Sequence, residues 1–485
     1  MNVPVLDVAI VGSGFSGIGM AIQLKKAGMS NFQIFERAKD LGGTWRDNSY
    51  PGCACDIPSH LYSFSFEPNA NWPRKYSPYN EIFAYLKRCF KKHNLAEKTV
   101  FDANISECSF DEHTNQWMLK TSDGETYRAK FLVVGAGPLN KPNLPNFPGA
   151  DAFEGPSFHS SQWDHTLDVT DKNIAVIGTG ASAIQIVPAI ADKVKKLSLF
   201  QRTAPWVIPR WDREISKFEQ SIYKWVPPLR WLYRNLIYWY QEQGGLAFVT
   251  NIGAHKTIEK LARWHMGKVI QTPALLEKLT PKYRIGCKRI LLSDDYYPAL
   301  ARDNVDVVTS DIAKLDRTGV ITTDGTHYSV DAIIYGTGFA ATEFIAPMKI
   351  YGTEGRELGK QWKRSAETLL GISTAGFPNF FVLVGPNTGL GHNSMVFMIE
   401  AQVNYIVSCL KTLRRKNSER LDLKPEVQRA FSAEVQEKMA KTAWMSGCKS
   451  WYLSPDGKNY TLWPGFTVSY WLKTRKFNAD HYNLS

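Results

Sequence analysis

A glycine-rich turn lies near the start of the chain, between a short apolar strand and a helical segment. In DVAIVGSGFSGIGMAIQL, the glycines Gly12, Gly14 and Gly17 follow the order G-x-G-x-x-G. They permit a tight turn and let a pyrophosphate approach the backbone amides at the helix N-terminus. Glu36 ends the next apolar segment about 20 residues later, where a carboxylate accepts hydrogen bonds from ribose hydroxyls. This unit is predicted to bind FAD or NAD; the alternative is a turn without a ligand.

The same pattern recurs in KNIAVIGTGASAIQIV, where Gly178, Gly180 and Ala183 have the same spacing. Here the next strand ends, about 20 residues later, in the base Arg202 instead of an acid. An arginine suits a ribose 2′-phosphate, so the second unit is predicted to bind NADP. Two different dinucleotides in one chain imply that NADPH reduces a flavin. The repeat predicts an α/β fold with two Rossmann-like dinucleotide-binding domains, one for FAD and one for NADP.

The composition is that of a multidomain globular protein. The 485 residues suffice for two or three domains, and 44% of them are hydrophobic. The net charge of +12 indicates a solvated basic surface, or affinity for anionic ligands or an anionic membrane surface. Nucleic acid is not an expected partner, because the sequence has no basic helix or known nucleic-acid-binding module.

The cysteines predict neither a disulfide framework nor a metal site. Seven cysteines, an odd number at irregular spacing, argue for a reducing compartment. Cys53 and Cys55 form a C-x-C pair, but metal sites use wider spacing and a second pair, so no metal is expected. The first residues lack a signal-peptide pattern, and no apolar run reaches the ~18 residues of a membrane span. A cytoplasmic location is predicted.

Two longer motifs, GGTWRDNSYPGCACD and FEGPSFHSSQWD, fix several residue types at set spacings. Their defining residues are Gly42, Gly43, Trp45, Tyr50, Pro51, Gly52 and Asp56 in the first, and Phe153, Gly155, His159 and Trp163 in the second. With these motifs the chain resembles the Baeyer–Villiger monooxygenases, a class B flavoprotein monooxygenase family. The resemblance extends from the first residues to about Asn393.

The second motif is expected to lie at the hinge between the FAD and NADP domains. In the family, its histidine couples the domains through hydrogen bonds, and His159 is expected to do the same. A structural histidine without that coupling is the alternative. Gly155 shapes an irregular backbone, while Phe153 and Trp163 are expected to anchor the segment in neighbouring cores.

The resemblance implies an enzyme that inserts one oxygen atom from O₂ next to a ketone carbonyl, giving an ester or lactone. NADPH would reduce FAD, and a C4a-peroxyflavin would attack the ketone. A small lipophilic ketone or sulfide and O₂ are the expected partners. Which ketone is used, with what selectivity and in which oligomeric state, cannot be read from the sequence.

A negative intermediate calls for a fixed cation, and YRIGCKRILLSDDYYPALARDNVDVV resembles the family segment that supplies one. By that match Arg289 is the catalytic arginine, and Lys288 contacts the NADP 2′-phosphate. Arginine suits this role because it stays protonated and offers a planar fork of donors. Asp56 is its expected partner, which would orient it and balance its charge. A pair of surface charges is the alternative interpretation of Lys288 and Arg289.

The motifs and the resemblance give a wider set of expected cofactor contacts. Beside Gly12, Gly14, Gly17, Glu36, Gly178, Gly180, Ala183, Arg202, Lys288, Arg289 and Asp56, it comprises Ser16, Thr44, Trp45, Arg46, Asp47, Ala54, Cys55, Tyr62, Ile105, Thr179, Ala181, Ser182, Ile184 and Thr203. Thr203 is expected at the phosphate because it follows Arg202, and Ile105 is expected to contact adenine through its backbone.

The segment 210–285 has no nucleotide pattern and is rich in Trp and Tyr at helical spacing. It is predicted to be a helical insert in the NADP domain that caps the core. An interfacial helix that touches a membrane surface is the alternative, because the cationic side chains flank the tryptophans: Lys224, Arg230 and Arg234 beside Trp225, Trp231 and Trp239. The predicted domains are FAD-binding (1–148 and 341–485, with the C-terminal tail), NADP-binding (149–209 and 286–340) and the insert.

Three alternative functions make different demands on the sequence. A sister flavin-containing monooxygenase would oxygenate N and S atoms, but such enzymes usually lack the Trp163-Asp164 ending of the second motif. A disulfide oxidoreductase would need a C-x-x-C or C-x-x-x-x-C pair near the flavin motifs, and the sequence has none. A non-catalytic nucleotide-binding protein would consume no oxygen with NADPH.

Overall fold

The computed structural model describes residues 4–249, 253–448, 450, 452–454 and 456–485. The strands, in chain order, are β1 (Val5–Val11), β2 (Phe32–Phe35), β3 (Thr99–Val100), β4 (Ile105–Asp111), β5 (Gln116–Thr121), β6 (Thr126–Val134), β7 (Ser157–His159), β8 (Asn173–Ile177), β9 (Lys196–Phe200), β10 (Val207–Ile208), β11 (Leu291–Leu292), β12 (Val305–Val308), β13 (Ile312–Asp316), β14 (Gly319–Thr322), β15 (His327–Ser329), β16 (Ala332–Tyr335), β17 (Lys349–Tyr351), β18 (Phe380–Val382), β19 (Leu421–Leu423) and β20 (Tyr482–Leu484). The helices are α1 (Phe15–Lys26), α2 (Thr44–Asp47), α3 (Tyr79–Lys92), α4 (Ala183–Ile190), α5 (Lys217–Trp225), α6 (Pro227–Gly244), α7 (Leu246–Val249), α8 (Ala254–Gly267), α9 (Pro273–Leu279), α10 (Tyr296–Leu300), α11 (Leu358–Arg364), α12 (Met395–Lys416), α13 (Pro425–Ala440) and α14 (Thr467–Thr474).

The first sheet contains the first glycine motif. Its strand order is β17-β4-β5-β6-β1-β2-β3, and β18 also pairs with β6. β1 is parallel to both β2 and β6, and its residues Val8, Ala9 and Ile10 are fully buried. Such a continuous apolar run is typical of a parallel strand covered on both faces. On one face, α1 packs against the long helix α12.

The second sheet contains the second glycine motif. Its order is β12-β9-β8-β16-β7, and every pairing in it is parallel. In each sheet the motif strand lies beside a strand from much later in the chain: β6 beside β1, and β16 beside β8. The prediction of an α/β fold with two Rossmann-like domains is confirmed. The residue ranges of the domains stay a prediction.

A helical insert leaves the second unit between β10 and β11, which are paired with each other. It contains α5 to α9, and α5 begins with a capping box between Ser216 and Glu219. Pro227 starts α6, where its missing N–H removes no helical hydrogen bond. From α6, the buried carboxylate of Glu242 accepts hydrogen bonds from Thr467 Oγ1 (2.6 Å) and Asn393 Nδ2 (2.8 Å). The insert is thereby joined to α14 and to the loop before α12.

The described helices include none with the length and low charge needed to cross a bilayer. Beyond α12, the chain adds α13, the antiparallel pair of β19 with β20, and α14. α14 packs on α12, so the C-terminal residues return to the first sheet's helical layer.

The prediction of no disulfide framework is wrong for one pair of cysteines. Cys287 and Cys448 form a disulfide, with Cα atoms 6.2 Å apart, and they are 161 positions apart in sequence. Irregular spacing could not reveal this pair, because the fold brings the tail back to the segment after the insert. The other five cysteines are free and buried.

Candidate functional site

The first glycine turn is built so tightly that side chains would collide with backbone. Gly12 has a φ of +95°, and a Cβ there would lie 2.7 Å from the carbonyl oxygen of Gly135 at the end of β6. A Cβ on Gly17 would lie 1.8 Å from the carbonyl oxygen of Gly12. Ser16, also buried, packs against Gly135. The amides before α1 therefore face a glycine-lined cradle of the kind that admits a pyrophosphate.

Glu36 lies beside this turn, at the end of β2, and is buried. Its Oε2 accepts hydrogen bonds from Ser13 N (2.9 Å) and Ser13 Oγ (2.7 Å). Its Oε1 accepts from Ala38 N (3.1 Å) and Arg46 Nη1 (2.9 Å). Ala103 N donates to the Glu36 carbonyl oxygen, which places the segment leading to Ile105 next to this strand end. The sequence did not reveal that Ser13 and Arg46 fix the carboxylate.

The GGTW motif packs directly onto the glycine turn. A Cβ on Gly43 would lie 3.3 Å from the Cα of Gly14, so the two glycine segments touch. The short helix α2, Thr44–Asp47, follows at once, and Arg46 Nε donates to Asp47 Oδ1 at 2.7 Å. Trp45 Nε1 donates to the hydroxyl of Tyr62 at 3.2 Å. Thr44, Trp45, Arg46, Asp47 and Tyr62 thus form one wall beside the first cradle.

The YPG part of the same motif contacts the second unit. Gln185, in the first turn of α4, accepts a hydrogen bond from Tyr50 Oη (3.0 Å), and its Nε2 donates to the carbonyl oxygen of Ala54 (3.0 Å). Gly52 approaches so closely that a Cβ there would lie 2.5 Å from the carbonyl oxygen of Gln185. Gln185 is a contact that the sequence analysis missed, although its place next to Ile184 in the second motif could have suggested it.

The second glycine turn repeats the geometry of the first. Gly178 has a φ of +112°, and a Cβ there would lie 2.5 Å from the carbonyl oxygen of Gly336 at the end of β16. A Cβ on Gly336 would lie 3.1 Å from the Cβ of Ala183, the third residue of the motif. The methyl group of Ala183 therefore packs closely against the backbone of Gly336. Gly180 and Ala181 are exposed, and Ser182 precedes α4. Ile184 is buried in the core below the turn.

Two cations lie beside this second turn without an acid to balance them. Arg202 follows β9, and Thr203 lies next to it, with its carbonyl oxygen accepting a hydrogen bond from Thr179 Oγ1 at 3.0 Å. Burial and the positive charge of Arg202 lower the pKa of Lys288. In the described part of the chain, neither Arg202 nor Lys288 has a carboxylate within ion-pair distance. Two neighbouring cations of this kind favour a phosphate.

Arg289 and Asp56 join the two nucleotide units. The guanidinium Nη2 of Arg289 donates to Asp56 Oδ2, although the residues are 233 positions apart in sequence. The Asp56 carboxylate raises the pKa of Arg289, so the cation is kept charged. The Arg289 side chain is still 36% exposed, which leaves other N–H donors free to meet a ligand. Cys55, next to Asp56, is buried, and burial raises its pKa.

His159 connects the second sheet with a loop that runs between the two sheets. Its Nδ1 accepts a hydrogen bond from Ser161 N (3.2 Å), so Nε2 carries the proton and donates to the carbonyl oxygen of Gly338 (2.9 Å). Burial lowers the pKa of His159, which favours this neutral form. Gly338 lies in the loop that runs from β16 back to the first sheet. Its carbonyl oxygen also accepts a hydrogen bond from Asn143 N, in the segment that runs from β6 to the second sheet.

The rest of the FEGPSFHSSQWD motif shapes this junction. A Cβ on Gly155 would lie 2.4 Å from the carbonyl oxygen of Asp331, and the ring of Phe153 closes over the same position. Trp163 packs edge-on against Phe158, with ring centroids 5.3 Å apart. Trp163 also lines a cleft of about 410 Å³ between the two units. Tyr50 and its neighbours in the YPG segment line the same cleft, and so does Arg74. Among the described residues, no group of three His, Cys, Asp or Glu could hold a metal ion.

Comparisons with known proteins agree with this geometry. Residues 6–348 match the model of a family described as flavin-binding monooxygenase-like. A Baeyer–Villiger monooxygenase of Pseudomonas aeruginosa is 46% identical over 99% of this chain and 91% of its own length. One of Streptomyces coelicolor is also 46% identical, over 98% of this chain and 92% of its own length.

Solved structures give the same result. A structure described as oxidized steroid monooxygenase bound to NADP has a TM-score of 0.89 at 30% identity and covers 99% of both chains. A structure described as OTEMO in complex with FAD and NADP has a TM-score of 0.90 at 25% identity and covers 100% of both. This chain therefore belongs to the flavin-binding monooxygenase-like family, as one of its Baeyer–Villiger monooxygenases.

Proposed function

We propose that this protein is an NADPH- and FAD-dependent monooxygenase that inserts one oxygen atom of O₂ next to a ketone carbonyl, giving an ester or lactone. The observation that carries the proposal is the ion pair of Arg289 with Asp56, which places a permanent cation between the two nucleotide units. Solved relatives described as bound to FAD and NADP support both cofactors.

The first cradle fits FAD. The clashes that a Cβ would make at Gly12 and Gly17 leave room only for bare backbone beside the pyrophosphate. Glu36 would hold the adenosine ribose, and the wall formed by Thr44, Trp45, Arg46, Asp47 and Tyr62 would hold the rest of the cofactor. When bound and reduced, FAD supplies the activated oxygen for the insertion.

The second cradle fits NADP. The exposed amides at Gly180 and Ala181 would meet the pyrophosphate, as in the first unit. Arg202, Lys288 and Thr203 would hold the 2′-phosphate, which supplies the negative charge that the two cations lack. NADH lacks that phosphate and would leave the charges of Arg202 and Lys288 unbalanced, so NADPH is favoured over NADH.

Arg289 would stabilise negative charge that develops during oxygen insertion, and Asp56 would orient it. A preorganised cation costs no rearrangement at the moment of reaction, which makes such groups effective. Asp56 accepts a hydrogen bond from Nη2 of the guanidinium, and the partly exposed side chain has further N–H donors for a ligand. Since the pKa of Arg289 is raised by Asp56, the charge persists at any working pH.

Replacing the arginine tests this role. In Arg289→Ala, ester formation should fall by about 10²–10³-fold or more, because a preorganised charge is lost. FAD content and NADPH oxidation should persist. Arg302→Ala, which removes an exposed arginine of the same unit, is the matched control. Product analysis of ketone reactions measures the difference. Ester formation by Arg289→Ala within about twofold of the control would refute the role of the cation.

Sulfides are proposed as further substrates. Sulfur is a soft nucleophile that an oxygenating flavoprotein can oxidise without carbon migration, and an N- or S-oxygenating enzyme is the alternative function. Competition between a ketone and a sulfide separates the two: the proposal expects ester and sulfoxide from the same preparation. Sulfoxide without any ester from a broad ketone panel would favour the alternative.

We also propose that the insert touches membrane surfaces. Trp225, Trp231 and Trp239, on α5 and α6, are 76%, 66% and 53% exposed. Leu232 and Leu236 of α6 are exposed as well and complete this apolar stripe, whereas Tyr238 and Glu242 of the same helix are buried. Lys224 and Arg230 border the stripe, so its charge complements an anionic bilayer. The cytoplasmic location stays a prediction.

Co-sedimentation with vesicles tests this contact. The protein should bind vesicles that contain phosphatidylglycerol and bind pure phosphatidylcholine vesicles more weakly. A triple variant, Trp225→Ser, Trp231→Ser and Trp239→Ser, should lose binding, whereas Trp211→Ser, an exposed tryptophan outside these helices, should keep it. Concentration-dependent self-association that the triple variant abolishes, without vesicle binding, would instead assign the stripe to a second copy of the chain.

A further inference from the structure

The Cys287–Cys448 disulfide has no part in the function described above, yet it lies next to the site. Cys287 immediately precedes Lys288 and Arg289. Cys448 lies in the tail, shortly after the 3₁₀ turn Ala443–Met445. The N–H of Cys448 also points at the sulfur of Cys287, at 3.2 Å. One covalent bond thus joins the tail to the segment that contains Lys288 and Arg289.

The disulfide closes over a buried cluster that has its own packing. Trp444, Tyr452 and Leu462 of the tail are buried together with Ile285 and Ile290, which flank the cations. Phe248 of α7 stacks on Trp444, with ring centroids 5.7 Å apart. The described tail residues Trp444, Cys448, Tyr452 and Leu462, which we call the strap, therefore pack against the residues that flank Lys288 and Arg289 and against α7 of the insert.

The strap also reaches the ion pair of the site. Tyr452 is buried, and burial raises its pKa to about 12 even though the positive charge of Arg289 lowers it. The Tyr452 hydroxyl is therefore within electrostatic reach of Arg289 and Asp56. A change in the position of the strap would alter the surroundings of the cation that the proposed reaction uses.

We propose that Cys287 and Cys448 are a redox modification site: the disulfide holds the strap closed on the Lys288–Arg289 segment, and reduction by a dithiol releases it. Nothing in the proposed chemistry of oxygen insertion needs this bond. Its consequence would be on the exchange of NADP(H), because Lys288 belongs to the proposed NADP site; this effect rests on the proposed function.

The exchange reaction has a clear direction. Cys287 is fully buried, whereas Cys448 is only partly buried. An incoming thiolate would attack the sulfur of Cys448, the more accessible of the two, and the sulfur of Cys287 would leave as a thiolate. The second thiol of the dithiol then displaces Cys448. One protein disulfide becomes two thiols, and the dithiol becomes a disulfide, with two electrons and two protons transferred.

The remaining cysteines do not compete for this reaction. Cys53, Cys55, Cys89, Cys108 and Cys409 are buried, and burial raises the pKa of each thiol. A protonated buried thiol is a poor nucleophile. Thiol–disulfide exchange in this chain is therefore confined to the pair of Cys287 with Cys448.

Peptide mapping tests whether the bond exists. Trypsin cuts after Arg284, Lys288, Lys441 and Lys449, so a non-reducing digest of protein treated with a mild oxidant should contain peptides 285–288 and 442–449 joined by a disulfide. The joined pair should disappear after dithiothreitol. This assay needs no cofactor, so its failure is distinct from a failure of the proposed function. Absence of the joined peptides after oxidation would overturn the site.

Cofactor exchange tests what the bond does. The rate of NADP⁺ dissociation from the FAD-loaded enzyme should rise by at least about threefold on reduction, because affinity differences appear mainly in dissociation rates. Cys448→Ser should match the reduced enzyme and not respond to dithiothreitol. Cys89→Ala, which removes a buried free thiol elsewhere, should respond as the unmodified protein does.

The outcomes distinguish a regulatory disulfide from a purely structural one. Joined peptides together with equal dissociation rates in the oxidised, reduced and Cys448→Ser forms would overturn the release and leave a purely structural bond. If Cys448→Ser itself folds poorly, the oxidised and reduced forms of the unmodified protein still give the comparison. A rate that falls on reduction would contradict the proposal as well.

Discussion

Glu36 and Arg202 follow equivalent strands, but their surroundings differ. Glu36 is buried, and its two oxygens accept hydrogen bonds from Ser13, Ala38 and Arg46. Arg202 is exposed and, among the described residues, has no carboxylate partner. Glu36 thus contributes hydrogen bonds to the fold, whereas the exposed Arg202 is available to a ligand. A substitution of Arg202 therefore tests cofactor choice with little effect on the fold.

Arg202→Ala should raise the KM for NADPH by about 10–100-fold, because an ion-assisted hydrogen bond to phosphate is worth roughly 1.5–3 kcal/mol. The KM for NADH and the FAD content should change little. Steady-state kinetics with both donors measures this, with Lys193→Ala as a control for loss of an exposed charge in the same unit. An unchanged preference for NADPH would mean that Arg202 does not read the 2′-phosphate.

Single residues were predictable where one motif fixes the geometry. The glycines follow from the turn itself, since the close approaches at Gly12 and Gly178 are properties of any such strand–helix turn. The pairing of Arg289 with Asp56 needed the family resemblance, because 233 residues separate them. Gln185 was missed because its contacts with Tyr50 and Ala54 depend on how the two units pack, which no local pattern encodes.

At the scale of elements, the insert is held by a buried histidine of the first unit. His60 packs against Tyr223 of α5 and Tyr233 of α6, with ring centroids at 4.8 and 5.4 Å. Arg234 of α6 donates to the carbonyl oxygen of His60 at 2.5 Å. Burial, together with the charges of Arg234 and Arg230, lowers the pKa of His60 to about 4. The docking of both helices therefore requires a neutral imidazole.

This docking makes stability depend on pH. The folded-state pKa of His60 lies below the ordinary value, so its contribution is full above about pH 6.5 and is lost as the pH falls toward 4. At pH 5, the unmodified protein should lose about 2 kcal/mol of unfolding free energy that His60→Phe does not lose. Urea unfolding at pH 7 and pH 5 measures it. Equal losses in His60→Phe and the control His113→Gln would contradict this account.

The elements themselves were largely predictable, and their surroundings were not. The strands and helices of both glycine units follow from apolar runs and turn residues, and the break between α5 and α6 follows from Pro227 and Pro228. The buried carboxylate of Glu242 was not foreseen, because its partners Thr467 and Asn393 come from distant segments. Burial of a charged residue within a helix is decided by tertiary packing.

At the scale of the whole molecule, distant pairs hold the two nucleotide units together. Gln185 binds the YPG segment, His159 binds the crossing loop at Gly338, and Arg289 binds Asp56. Cys287 adds a covalent bond to the tail. The family resemblance gave the expectation of the joints at His159 and Arg289, whereas the contacts of Gln185 and the bond of Cys287 were not foreseen, because long-range pairs leave no periodic signal. The proposed reaction needs the joints, since they place the cation between two cofactors.

The most direct test is the fate of molecular oxygen. The purified protein, loaded with FAD, would be supplied with NADPH, ¹⁸O₂ and a panel of cyclic and linear ketones, and the products would be analysed by mass spectrometry. We predict an ester or lactone that carries one ¹⁸O atom per molecule and that depends on NADPH. Consumption of NADPH with hydrogen peroxide as the only oxygen product, for every ketone in the panel, would contradict oxygen insertion.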